Sequence, residues 1–260
     1  MRGDQAEGKR SRIPDGACAG PENLEGSVIL VTGATGGIGQ VATRALADSG
    51  ATLIILARTI ARLEKLHDEI LSETGVKPIL HPLDLAGAAE SDFGEMASAI
   101  QSEFGRLDGI FHAAAELGDL RPLGEIETVR WHRLITVNMT APIMLTRALL
   151  PVMTNSGGGE VIFTDDSAAG PGKPFWGAYG IAKAGLRHYS AMLEAEMSGF
   201  GIRARCYSPG PVRTNIRLKA YAGELPGSLA LPESKTAEIK ALFSSLRPEQ
   251  EPQGRIARCP

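Results

Sequence analysis

A tyrosine and a lysine four residues apart, Tyr179 and Lys183, carry a pointed chemical signal. At that spacing both side chains stand on one face of a helix. An ammonium beside a phenol favours the phenolate, so the pair predicts a phenol pKa drawn down toward neutrality. Such a tyrosine can donate or accept the proton that accompanies hydride transfer. The lysine can also bond a nicotinamide ribose. The bland alternative is an aromatic anchor beside a surface lysine, and the rest of the chain must decide between them.

A second signal lies far upstream. Thr32-Gly33-Ala34-Thr35-Gly36-Gly37-Ile38-Gly39 follows an apolar run and opens an amphipathic one, with Gly33, Gly37 and Gly39 spaced G-x-x-x-G-x-G and Gly36 additional. Such a loop needs positive φ, close approach of a pyrophosphate to the backbone, and tight packing of helix on strand. The helix start then offers free N–H groups and a positive dipole end to phosphate. Gly33, Thr35, Gly36, Gly37, Ile38 and Gly39 are therefore candidate dinucleotide-binding residues. A methyltransferase using S-adenosylmethionine would share this loop but leaves the Tyr179/Lys183 pair unexplained.

The end of the second apolar run bears on which dinucleotide is bound. NAD sites place a carboxylate there, for the ribose 2′-hydroxyl. Here Ala57 is followed by Arg58, whose guanidinium can pair with a 2′-phosphate, which favours NADP(H) over NAD(H). The alternative is a solvated charge at a strand end. Asp84 and Leu85, after the third run, stand where an acid and an apolar side chain would bracket adenine, although Asp84 could equally cap a helix.

The elements that must position these groups follow from periodicity. SVILVT (27–32) and ATLIILA (51–57) are short apolar runs typical of strands buried on both faces. KPILHPL (77–83), RLDGIFHAA (106–114), EVIFTD (160–165), IRARCYS (202–208) and GRIARC (254–259) read as further strands. Phe93, Met96, Ala97, Ile100 and Phe104 repeat at helical spacing, as do Leu63, Leu66 and Ile70. Helices are also expected over about 125–153, from Gly177 to Ser198, and over 215–247, there broken by Pro226 and Pro232. Strands alternating with helices require parallel pairing and right-handed crossovers. The fold class is thus α/β: a single doubly wound Rossmann-type domain over residues 24–260, preceded by a polar tail at 1–23.

With these pieces in order, the chain over residues 24–260 resembles the short-chain dehydrogenase/reductase family, in a bacterial branch of unassigned substrate. The resemblance rests on Thr32 to Gly39, Asp84-Leu85, Asn138 within VNMT, Tyr179 with Lys183, and Pro209-Gly210-Pro211-Val212-Arg213-Thr214. It implies about seven parallel strands in the order 3-2-1-4-5-6-7 and a homodimer or homotetramer joined through long helices. It implies Tyr179 as general acid/base, Lys183 as its tuner and a ribose ligand, and Asn138 as a break in the preceding helix that supports a water on the proton relay. Pro209, Gly210, Val212 and Thr214 would close over the nicotinamide.

Two departures from the family pattern stand out. Asn-Ala-Gly is expected after the fourth strand, and the chain has Ala113-Ala114-Ala115, of which Ala113 and Ala114 would border the cofactor. A serine is expected 13 residues before the tyrosine, where Asp166 stands with Ser167 beside it. An ionised aspartate cannot donate to a carbonyl, and its charge would raise the phenol pKa. Either the loop shifts so that Ser167 serves as the catalytic serine, or Asp166 is protonated or meets a cationic substrate, or the site is weakly active. Plain strand-end capping by Asp165 and Asp166 is the remaining alternative.

The 260 residues carry 22% charged side chains and a net charge of −3, which attracts neither nucleic acid nor an anionic membrane surface across a whole face. Three scattered cysteines, Cys18, Cys206 and Cys259, give no zinc or disulfide pattern and fit a reducing compartment. The five histidines (67, 81, 112, 132 and 188) lack ligand spacing, so no metal is expected. There is no run of 18 apolar residues, and the first residues are charged where a signal peptide would be apolar. The expectation is a cytoplasmic NADP(H) oxidoreductase acting on a small carbonyl or alcohol, without nucleic-acid or membrane partners. The alternative is a non-catalytic or weakly active dinucleotide-binding or redox-sensing protein.

Overall fold

The computed structural model describes residues 23–170 and 172–246. Six strands form one parallel sheet in the order β3-β2-β1-β4-β5-β6. They are β1 (Val28–Thr32), β2 (Thr52–Ala57), β3 (Ile79–Pro82), β4 (Gly109–His112), β5 (Gly159–Thr164) and β6 (Ile202–Tyr207). The expected seventh strand at 254–259 lies outside the described residues, as do Cys18, Cys259 and residues 1–22 of the tail. Each of the first five strands is followed by a crossover to the next. The helices are α1 (Gly37–Asp48), α2 (Ile60–Thr74), α3 (Glu90–Phe104), α4 (Thr128–Ile135), α5 (Ala141–Asn155), α6 (Gly177–Met197), α7 (Asn215–Ala220) and α8 (Thr236–Leu242).

Alternation along the strands divides the interior into two cores, because successive side chains point to opposite faces. Ile29, Val31, Leu53, Ile55, Phe111 and Ile162 face α1, α2 and α8. Val28, Leu30, Ile54, Ile110, Val161 and Phe163 face α3, α5 and α6. Both faces are covered, which is why the strands read as continuous apolar runs rather than alternating ones. Helices α2 and α3 end on Gly75 (φ 77°) and Gly105 (φ 68°), left-handed caps that leave their carbonyls satisfied.

Three details refine the sequence reading, and only the last departs from an alternative it offered. The long helix expected near 125–153 runs from Thr128 to Asn155 with a π turn at Thr136–Thr140 joining α4 to α5. By length and composition this rod could cross a bilayer, but Leu145, Leu149, Val152 and Met153 pack it onto the sheet as a core helix. Residues 215–246 are helical in pieces, broken where expected. Pro226 and Pro232 each open a one-turn 3-10 segment between α7 and α8, as expected of a residue that fixes φ and lacks an N–H. Asp84 does not cap α3, which begins at Glu90. Its carboxylate accepts instead from Ala86 N in the turn before that helix.

The sheet order reverses between β1 and β4, and at such a switch point a crevice opens beyond the carboxyl ends of the strands. The glycine loop, the residues after β4 and β5, and the start of α6 all converge there.

Candidate functional site

A cleft of about 730 Å³ lies at this switch point. On its phosphate side the glycines are held by geometry. Gly33 has φ 63°, and a Cβ there would stand 2.5 Å from Ala114 N; a Cβ on Gly37 would stand 2.7 Å from the Thr214 methyl, and one on Gly39 2.1 Å from Gly33 O. The loop is thus folded tightly, and α1 starts at Gly37 with its first residues, whose N–H groups have no partner within the helix, lining the cleft. Residues with this cradle fit a dinucleotide pyrophosphate. Thr35, Gly36 and Ile38 line the same cleft. Ala113 and Ala114 border it, their N–H groups donating to Thr32 O at 3.1 Å and Thr32 Oγ1 at 3.3 Å.

At the end of β2, Arg58 lines the cleft and is exposed. Arg62, one turn into α2, lines it too. Neither guanidinium has an ion-pair partner among the described residues. Two unpaired cations at the positive end of a helix dipole are locally unfavourable, and an anion between them would relieve both. Arg62 is absent from the residues singled out in the sequence, where its spacing of four from Arg58 is its one signal. Asp84 and Leu85 also line this side; Leu85 is buried, while Asp84 is exposed.

On the opposite side, α6 presents Tyr179 and Lys183 on one face. The phenol is buried, with its ring 5.9 Å from that of Trp176. Lys183 is also buried. Its Nζ donates to Thr164 O at 2.7 Å and lies 5.6 Å from the Tyr179 ring centroid. Asp165, beside it, is neutralised by Arg187 at 2.7 Å. Desolvation lowers the Lys183 pKa, and the charges of Asp165 and Asp166 partly oppose that.

The residue that meets the phenol is Asp166. Tyr179 Oη donates to Asp166 Oδ2 at 3.2 Å, while Asp166 Oδ1 accepts from Ala168 N at 2.9 Å and caps a short 3-10 turn. Ser167 is exposed; its N–H donates to Ser208 Oγ, and its hydroxyl has no partner among the described residues. The phenol pKa is displaced upward, against the downward pull expected from Lys183. Burial is the first cause, followed by the charge of Asp166 and the hydrogen bond to it. The lysine ammonium is turned to Thr164 O rather than to the phenol oxygen, so it does not counter them.

Asn138 sits in the π turn, buried. It does not line the cleft but fastens the loop after β4: Nδ2 donates to Glu116 O and Leu134 O, both at 2.8 Å, and Oδ1 accepts from Glu116 N at 3.0 Å. The break in the helix is present, and the side chain is fully engaged in holding the loop that leads from Ala113. Above the cleft, Pro209, Gly210 (φ 71°) and Val212 lead to Thr214, whose Oγ1 caps α7 by accepting from Arg217 N at 3.2 Å. Tyr221 follows α7, its ring tilted at 51° against that of Trp176 and covered by Arg217, whose guanidinium is held in turn by Glu224. Among the nearby aromatics, Trp176 is buried against Tyr179, Phe175 is exposed, and Trp131 does not line the cleft. Among the described residues no cluster of metal-ligating side chains occurs.

Comparison with known proteins bears on this arrangement. The pattern of the short chain dehydrogenase family matches residues 27–224. The chain is 36% identical over 220 residues to the uncharacterized oxidoreductase YciK of Escherichia coli K12, covering 85% of each protein. A short chain dehydrogenase structure from Pseudomonas syringae superposes with a TM-score of 0.83 at 38% identity, over 87% of this chain and 92% of that one. Another from Shigella flexneri, complexed with NADP, gives 0.82 at 34% identity, over 86% and 93%. Fold, glycine cradle and tyrosine–lysine helix therefore have one common explanation, and the chain belongs to the short-chain dehydrogenase/reductase family of oxidoreductases.

Proposed function

We propose that this protein is an NADP(H)-dependent oxidoreductase that interconverts a small carbonyl compound and its alcohol. The observation that carries the reading is the shared cleft, in which a buried tyrosine–lysine helix faces a glycine cradle with no room for a side chain at Gly33, Gly37 or Gly39. When bound, the reduced nicotinamide supplies a hydride to the carbonyl carbon. Tyr179 Oη delivers the proton to the carbonyl oxygen, so the C=O bond becomes C–OH. Lys183, with one bond to Thr164 O, has protons left for a ribose hydroxyl. Asn138 fixes the loop after β4 with its side chain, which leaves only its main chain, at the break in the helix, to support a water on the relay to Lys183. Ser167 stands at the rim, where its free hydroxyl can reach a substrate oxygen; Asp84, Leu85, Ala113 and Ala114 would flank the adenosine, and Pro209, Gly210, Val212 and Thr214 the nicotinamide.

NADP(H) over NAD(H) is supported by the unpaired Arg58 and Arg62 and by the NADP complex of the Shigella flexneri relative. A cytoplasmic setting is supported by Cys206, a free thiol. A homodimer or homotetramer is supported by the exposed Ile181 and Met192 on α6. The opposition of Asp166 to Tyr179 favours a second reading, a dinucleotide-binding sensor with little turnover.

The test is to follow NADPH absorbance with a panel of ketones, aldehydes and quinones. Turnover that disappears in Tyr179→Phe is expected; NADPH binding without turnover across the panel favours the sensor. Cofactor choice has its own check. Arg58→Asp should raise the KM for NADPH by about 10–100-fold and leave that for NADH nearly unchanged, the loss of a charge-assisted pair plus repulsion. Equal effects on both coenzymes would remove Arg58 from the 2′-phosphate site.

A further inference from the structure

Resting on the oxidoreductase reading, we propose that the substrate carries a hydrogen-bond donor, a hydroxyl or an ammonium, on the atom next to the reacting carbon, and that Asp166 binds it. Asp166 is an acceptor-only group when ionised. It lines the cleft beside Tyr179, with Oδ2 3.2 Å from the phenol oxygen. Its cap bond to Ala168 N and the Ala169 N–H to Asp166 O bond fix its direction. It has no ion pair among the described residues, and the cations around it are engaged. Lys183 donates to Thr164 O, Arg187 is bound to Asp165, and the Arg217 fork is filled by Glu224.

A substrate carbonyl must take the proton that the phenol now directs at Asp166. Once Tyr179 turns to the substrate, Oδ2 loses its donor. A simple ketone offers only acceptor lone pairs, so it leaves the carboxylate unpaired and faces it with a second oxygen, a loss worth far more than one ordinary contact. A carbonyl flanked by a hydroxyl or amine satisfies both groups at once: the carbonyl oxygen accepts from Tyr179, and the neighbouring donor bonds Oδ2. The two protein oxygens are spaced about as two heteroatoms on adjacent carbons are. Sites built around a substrate donor reject the analogue lacking it steeply. Anionic substrates are disfavoured by the same charge.

The experiment compares 2-butanone, 3-hydroxy-2-butanone and 3-amino-2-butanone with NADPH, in the native protein, Asp166→Asn and Asp166→Ser. Both variants keep a side chain able to cap the turn, so a merely structural Asp166 would leave the preference unmoved. The native protein should favour a donor-bearing ketone by at least about 100-fold in kcat/KM. Both variants should lose that preference, Asp166→Ser by gaining activity on 2-butanone. Whether the hydroxy or the amino ketone leads identifies the donor. As a readout independent of turnover, 2,3-butanediol should change the fluorescence of protein-bound NADPH where 2-butanol does not, and the difference should vanish in Asp166→Asn. A preference that is the same in all three proteins, or a native preference for 2-butanone, overturns the inference and leaves the oxidoreductase reading standing. Absence of turnover with every carbonyl of the wider panel, despite NADPH binding, removes that reading instead.

Discussion

Replacing Tyr179 with phenylalanine should lower carbonyl turnover by about 10²–10⁴-fold, the usual contribution of a positioned proton donor, with NADPH affinity little changed. The substitution is conservative in every respect but one. The ring keeps its burial and its contact with Trp176 at 5.9 Å, and only the oxygen is lost. Asp166 loses one bond, but its cap to Ala168 N remains. An effect on kcat with little change in KM would mark a group that acts in the transition state. A loss of NADPH binding of the same size would show that the ring supports the cofactor and would leave the proton donor unassigned.

The pH dependence sharpens this prediction because the structure reverses the sign expected from the lysine. With the phenol pKa raised by burial and then by Asp166, the protonated form is favoured throughout the neutral range. Reduction, which needs the O–H, should stay flat through neutral pH and decline only above about pH 10, the ordinary phenol value. Alcohol oxidation needs the phenolate, so it should climb with pH and show no plateau below that value. Asp166→Asn removes the charge and should move the rise to lower pH. An oxidation plateau near neutrality in the native protein would mean that Lys183 governs the phenol when coenzyme is bound.

The sequence disclosed whatever is written in short-range pattern. Strands such as Leu53–Ala57 are buried on both faces and so read as unbroken apolar runs, and the helices that end on Gly75 and Gly105 carry their stop signals locally. Strand β4 is shorter than the run 106–114, spanning Gly109–His112, because after one last bond from Ala113 N to Thr32 O the chain turns to form the cleft wall. That boundary depends on what lies across the crevice. The direction of the Tyr179 shift was equally hidden. Spacing puts Lys183 on the same helical face, but whether its ammonium meets the phenol oxygen depends on Thr164 O competing for it, and whether Asp166 or Ser167 meets the phenol depends on the turn that Asp166 itself caps. Arg62 carries only the weak signal of its spacing from Arg58, and the placement of both at the cleft by the β2–α2 turn gives that spacing its meaning.

The glycine loop allows a graded prediction. Gly39→Ala should weaken NADPH binding by at least about 100-fold, equivalent to about 3 kcal/mol, and lower the thermal midpoint, whereas Gly36→Ala should cost less than about 10-fold. The contrast comes from what each new methyl would meet. At Gly39 it would stand 2.1 Å from Gly33 O, a backbone atom that cannot retreat, because Gly33 is itself pressed against Ala114 and held at φ 63°. The loop must open, which pulls the start of α1 away from the phosphates it would bind. At Gly36 the nearest atom is the same carbonyl at 3.3 Å, a contact relieved by a shift of a few tenths of an ångström. Titration of bound-NADPH fluorescence, with a melting curve for each variant, separates binding from folding. If Gly36→Ala proved the more damaging, the phosphate would have to press closest at the helix cap, and the third glycine would matter only for packing α1 on β1. The ranking therefore tests whether the cradle works by shaping the turn or by exposing a particular amide, which the spacing of glycines alone cannot distinguish.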